Sequence, residues 1–138
     1  MPRFWPYPVS GNFGTGTLGI LLLSGRHDRA HYAFVLATGA AALGRKVVLF
    51  ATNSGCHALL ADWSGIENAA RDGRIQSRGV AGLEALREAA AELGVRMIVC
   101  EAGLRAEGLE EARLLPGVEV AGVATFLNAV GEGKLISL

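Results

Sequence analysis

The chain has 138 residues, about half of them hydrophobic, with thirteen basic side chains balanced by thirteen acidic ones. That length suits one domain with a real core. The neutral balance argues against a nucleic-acid or anionic-membrane surface, which needs a basic excess. Two cysteines, with no recognisable secretory leader, read as reduced thiols of a cytoplasmic protein rather than a structural bridge.

Residues 1–16, rich in proline, glycine and aromatics, read as an irregular arm. Its Trp5 and Tyr7 either pack on the body or a neighbouring subunit, or belong to a loosely docked terminus. The domain proper is expected over 17–138. "TLGILLL" is a continuous apolar run of strand length, as in a strand covered on both faces. "SGRHD" is the loop after it, with Asp28 as N-cap of a helix reaching about Leu43 and Gly44 as its stop. "KVVLFA" is a second strand, and "TNSGCHALLADW" a loop entering a short helix. Ser64 to Gly79 is the least regular stretch. Its Arg71, Arg74 and Arg78 belong either to a solvated loop or to a lip recruiting an acidic partner or an anionic sulfur compound.

"GLEALREAAAELG" reads as an amphipathic helix, with Leu83, Leu86, Ala90 and Leu93 at helical spacing and Glu84, Arg87, Glu88 and Glu92 on other faces. "VRMIVC" is a third strand, and "EAGLRAEGLEEARLL" is helical with a break near Gly108. "VEVAG", the helix "VATFLNAVGEG" and the strand "KLISL" complete the order. The longest apolar region, around "AHYAFVLATGAAALG", is too short to span a bilayer. Alternating strands and helices give an α/β class: one three-layer α/β/α domain with a mostly parallel sheet of about five strands.

In such sheets ligands bind where the strands end. That edge collects Ser24 to Asp28, Thr52 to His57, and Cys100 with Glu101, so both cysteines, His27 and His57 share it. Cys100 is the sharper candidate. A thiol between a strand end and a helix start faces backbone N–H groups, which favour the nucleophilic thiolate, while Glu101 opposes this by like charge. The plain alternative is a buried, inert cysteine. The glycines of "GNFGTGTLGILLL" precede the first strand, whereas a dinucleotide fingerprint needs them after it, so no phosphate loop is read there.

"VRMIVCEAGLRAEGL", together with "SGRHDRAHYAFVLATGAAALGRKVVLFATNSG", resembles the DsrE/DsrF-like family. The helix-one block "DRAHYA" and the passage into strand two describe packing; "C-E-x-G-L-R-x-x-G" bears on chemistry. The resemblance implies a small α/β protein of sulfur-relay type, with Cys100 at the position that carries sulfane sulfur as a persulfide. It implies exchange with sulfur-donor and acceptor proteins, a homo-oligomer (trimer or hexamer), and no metal or organic cofactor.

Cys56 is a candidate second thiol that receives sulfur, resolves an oxidised Cys100, or shapes the pocket; otherwise it is a packed loop residue. His27 and His57 are candidates for steadying a thiolate or protonating a leaving thiol, against the commoner case of hydrogen-bonded rim histidines. His31, in the first helix, reads as a packed residue. Zinc is disfavoured because adjacent Cys56 and His57 chelate poorly and no CxxC is present. Two rival readings stay open: a non-catalytic binding module using the same rim for a small ligand or a protein, and a redox protein cycling a Cys56–Cys100 disulfide.

Overall fold

The computed structural model describes residues 16–138, so the proposed arm and its glycine run lie, apart from Gly16, outside the described residues. Five strands build one sheet: β1 (Leu18–Leu22), β2 (Val47–Ala51), β3 (Arg96–Cys100), β4 (Glu119–Ala121) and β5 (Lys134–Ser137). Their order is β4-β3-β2-β1-β5, and every neighbouring pair is parallel. The helices are α1 (His27–Ala42), α2 (Arg71–Gln76), α3 (Leu83–Glu92), α4 (Glu101–Ala106) and α5 (Val123–Val130), with a 3₁₀ segment at Asn53–Leu59.

Parallel neighbours require crossovers, and right-handed crossovers stepping in one direction put their helices on one face. From β1 to β4 the chain steps steadily outward. α1 and α3 accordingly bury Phe34, Ala37, Leu83 and Leu86 against Ile20, Leu49, Met97 and Val99. The chain then returns across the sheet to lay β5 beside β1, and α5 covers the second face. There Phe126 and Val130 pack on Val48, Phe50, Ile98 and Cys100, and the Phe50 and Phe126 rings stack with centroids 4.9 Å apart. Gly19 makes this possible, because a Cβ at that position would collide with Val130. The expected three layers are present but unequal: several helices on one side, one helix on the other.

Three local expectations are corrected. Asp28 is not the cap of α1; Arg26 holds that position, and no side chain caps the helix. Backbone takes over the task. The segment crossing above bridges Glu67 to Arg26, and the His27 N–H donates to the Glu67 carbonyl at 2.8 Å. Asp28, in the first turn, instead accepts from Arg26 at 2.8 Å. Secondly, residues 109–115 are not helical. Gly108 adopts φ +68°, and the chain beyond runs antiparallel to Leu60 through a Leu60–Leu114 bridge, with Leu115 N–H on the Leu59 carbonyl. Hydrophobic spacing alone does not distinguish these arrangements.

The third correction is Arg87, expected on a polar face yet only 2% exposed. Its guanidinium donates to the carbonyls of Ala58 (3.2 Å), Leu60 (2.7 Å) and Ala61 (3.3 Å). Those carbonyls end the 3₁₀ segment, where no following turn supplies donors. Arg87 thus fastens the post-β2 loop to α3, and its methylene stem fills core space. Arg87→Met keeps that packing but strands the buried carbonyls. It is expected to lower the unfolding free energy by about 3 kcal/mol, measured by urea denaturation, with Arg87→Lys intermediate.

Candidate functional site

Cys100 is the last residue of β3 and the N-cap of α4. Strand alternation turns its side chain to the α5 face, beside Ala121 of β4, its register partner. The Gly103 N–H points at Sγ, with nitrogen and sulfur 3.3 Å apart. Negative charge on the sulfur therefore meets a backbone donor at a helix start. Cys100 keeps 9% of its surface exposed, at the C-terminal edge of the sheet.

Gly103 sets this geometry. A Cβ there would lie 2.7 Å from Thr52 Oγ1, 2.9 Å from Asn53 N and 3.2 Å from Cys100 Cβ. Only a residue without a side chain lets the first turn of α4 press against the turn leaving β2. Asn53 in turn adopts φ +51°, a left-handed conformation that asparagine tolerates better than most residues.

Cys56 lies on the adjoining loop but belongs to the larger core cluster on the α1 face. It is fully buried, and its thiol donates to the Ala51 carbonyl at 3.8 Å. Burial pushes this thiol up to about 12, helped by the nearby Cys100 and Glu107. It is a protonated, packed sulfur at any ordinary pH. Both cysteines are free thiols. They share an edge and an electrostatic neighbourhood, while their side chains join different clusters.

The histidines go elsewhere. His57 is half-buried, and its ring lies against Gly65, where a Cβ would come within 2.8 Å of Nδ1. His27 is completely buried. Arg71, which can only donate, faces its Nδ1 at 3.0 Å, so the proton sits on Nε2 and is given to Asp72 at 2.7 Å. Asp72 also accepts from the Leu83 N–H (2.8 Å) and from Gln76 (2.7 Å). His31 stacks on His27 with centroids 5.5 Å apart and donates to the Ala81 carbonyl at 2.8 Å.

This network ties residues 61–82 down as a strap across the rim. It accounts for Arg71, expected on a solvated loop or a lip, while Arg74 donates to Asn68 and Arg78 stays exposed. The four-residue spacing of His27 and His31 is the one metal-like signal that sequence reasoning misses. The structure sends their Nε2 atoms to Asp72 and to a carbonyl. Asp72 itself gave no sequence signal, since it lies in the stretch that reads as least regular; the helix whose first turn holds it, α2, emerges only in the structure.

A model of the DsrE/DsrF-like family matches residues 18–138. The chain is 29% identical over 150 residues to the sulfur carrier protein DsrE2 of Allochromatium vinosum, covering 86% of this chain and 94% of that one. It is also 29% identical over 147 residues to the uncharacterized protein YrkE of Bacillus subtilis, covering 84% and 92%. Among solved structures, YchN from E. coli superposes with a TM-score of 0.69 at 13% identity, over 90% of this chain and all of that one. MTH1491 from Methanobacterium thermoautotrophicum, a protein of unknown function, gives 0.53 at 18% identity, over 89% and 99%. These two structures speak to the fold alone.

The buried polar network has a pH signature. Burial holds His31 below the ordinary imidazole value of 6.5, so the unfolded chain binds that proton more readily than the folded one. The stability this contributes is complete above 6.5 and is lost as pH falls through the folded value. Burial works to raise Asp72, but its hydrogen bonds from His27, Leu83 and Gln76 win and hold it below 3.8. Its contribution is lost only in stronger acid. Chemical denaturation from pH 8 to pH 3 should therefore show two separate falls, and His31→Gln should flatten the upper one.

Proposed function

The chain belongs to the DsrE/DsrF-like family, and from that premise we propose that it is a sulfur carrier, accepting and passing on sulfane sulfur as a persulfide on Cys100. The observation that carries this reading is the sulfur of Cys100 at the N-cap of α4, facing the Gly103 N–H at the sheet edge. The relative named a sulfur carrier supports the same chemistry.

The transfer needs no external oxidant. The Cys100 thiolate attacks the outer sulfur of a donor persulfide, R–S–SH. A Cys100 S–S bond forms as the donor S–S bond breaks, and R–S⁻ leaves with the electron pair. An acceptor thiolate then attacks the outer sulfur of Cys100–S–SH, and Cys100 leaves as thiolate. Each step is a thiol exchange whose rate depends on thiolate fraction, leaving group and access. Cys56 has no part in it, since a fully buried thiol held near 12 supplies no nucleophile. His27 and His57 act as structural residues, holding the strap.

The donor and acceptor are proteins of a sulfur relay, and the carrier works as a homo-oligomer, a trimer or hexamer. Supporting the oligomer, α5 presents Val123 (55% exposed) and Leu127 (53%) one turn apart, with Leu135 (44%) on the edge strand of the same face. Two reduced cysteines fit the cytoplasm. No helix of the described residues is long and apolar enough to cross a membrane.

Incubation with inorganic polysulfide should add the mass of one sulfur atom to the intact protein. A reductant should remove it, Cys100→Ser should abolish it, and Cys56→Ser should retain it. Loading that survives Cys100→Ser overturns the assignment. For the oligomer, the double variant Val123→Asp, Leu127→Asp is expected to sediment as a monomer, whereas an unchanged sedimentation coefficient removes α5 from the interface.

A further inference from the structure

Thr52 stands beside Cys100 on the α5 face of the sheet. Ala51 of β2 is in register with Val99 of β3, and Thr52 continues that strand by one residue, extended at φ −141° and ψ 171°, so it draws level with Cys100. Its N–H still donates to the Leu22 carbonyl at 3.0 Å, as a strand residue would. Alternation from Phe50, which packs in the same cluster as Cys100, turns the Thr52 side chain to that face. The packing at Gly103 agrees. The point where a Cβ of Gly103 would stand is 2.7 Å from Thr52 Oγ1 and 3.2 Å from Cys100 Cβ.

The fold makes no use of this hydroxyl. A threonine entering a helical segment ordinarily accepts from that segment's N–H groups, yet the Thr52 side chain forms no cap on the 3₁₀ segment. Among the described residues its hydroxyl has no hydrogen-bond partner, and the Cys100 sulfur receives only the Gly103 N–H. On the far side of Cys100 lies Ala121, and packed around it are Ile98, Phe126 and Val130, none with a side-chain donor.

We propose that Thr52 holds the transferred sulfur: its hydroxyl donates to the outer sulfur of the Cys100 persulfide while the Gly103 N–H stays on Sγ. The inference rests on the persulfide reading of Cys100 and adds the group that receives the cargo. Loading lengthens the side chain by one S–S bond, about 2 Å. An ionised outer sulfur is costly to leave among apolar side chains, and Thr52 offers a donor one strand spacing away, about 4.8 Å. A hydrogen bond to the ionised form favours that form. An ionised outer sulfur repels an incoming thiolate, so the same bond guards the cargo against stray thiols.

The test compares wild type with Thr52→Val, which keeps the shape and removes the hydroxyl, and Thr52→Ser, which returns it. Each protein is loaded with inorganic polysulfide, and two reactions are followed by mass on the Cys100 peptide. In the first, the ionised outer sulfur displaces iodide from iodoacetamide as the new S–C bond forms. In the second, the thiolate of 2-mercaptoethanol takes the outer sulfur, and Cys100 leaves as thiolate.

In Thr52→Val the pH midpoint of persulfide alkylation should rise by about one unit, a tenfold change in ionisation. At the wild-type midpoint alkylation should slow about fivefold, while stripping by 2-mercaptoethanol should quicken about twofold. Thr52→Ser should match wild type, and the unloaded thiol of all three should be alkylated at one rate. A site merely loosened by the substitution would speed both reactions together, and that outcome overturns the proposal. So does an unchanged midpoint in Thr52→Val, a Thr52→Ser variant that behaves like it, or an equal change in the unloaded thiol. Each of these leaves the carrier reading standing, whereas a wild-type protein that takes up no sulfur brings down that reading and this inference with it.

Discussion

The whole site depends on two backbone turns touching where a side chain would have kept them apart. Gly103 brings the first turn of α4 against Thr52 and Asn53, and its N–H thereby lies on the Cys100 sulfur. A methyl group there would have to displace the turn after β2, or rotate α4 away and take the donor with it. Hydrophobic burial of β3 between two layers fixes how far Cys100 rises to the edge. Glycine fixes what the sulfur meets there. Arg87 secures the other side of the contact by holding the last carbonyls of the 3₁₀ segment from within the core.

Two polar assemblies divide the rim between them. On the β1 side, His27, Asp72, Arg71 and His31 form a closed set in which nearly every donor has its acceptor, and they fasten a strap of irregular chain. Such a segment has little apolar surface with which to hold itself down, so directional bonds to buried groups substitute for packing. On the β3 side the carboxylates are exposed: Glu101 meets only the exposed Arg105, and Glu107, Glu110 and Glu111 form no ion pair among the described residues. The first assembly makes the rim rigid; the second gives it a sign of charge.

Much of the architecture was legible because apolar runs of strand length and glycine stops are local signals. β1, β2 and β3, the extent of α1 and α3, and the position of Cys100 at a strand end all follow from them. What was not legible depended on partners distant in sequence. Arg87 reads as surface because an isolated helix offers a guanidinium nothing but water; the waiting carbonyls come from residues 58–61. Asp28 reads as a cap because the competing Glu67 carbonyl arrives from another segment. Residues 109–115 have helical spacing, yet pairing with Leu60 takes them. His27 and Cys56 belong to the rim in sequence order, but neither offers any surface to it.

The pairing of β1 with β5 has a kinetic consequence. It joins Leu18 to Lys134, so one whole edge of β1 waits for nearly the full length of the domain before it is satisfied. Every other strand pair closes through a nearer crossover. Loop closure over such a span forms late and slowly. Until it does, β1 offers a bare row of amides and carbonyls that any extended chain can borrow. This wholly apolar strand is thus also the one most dependent on timely folding.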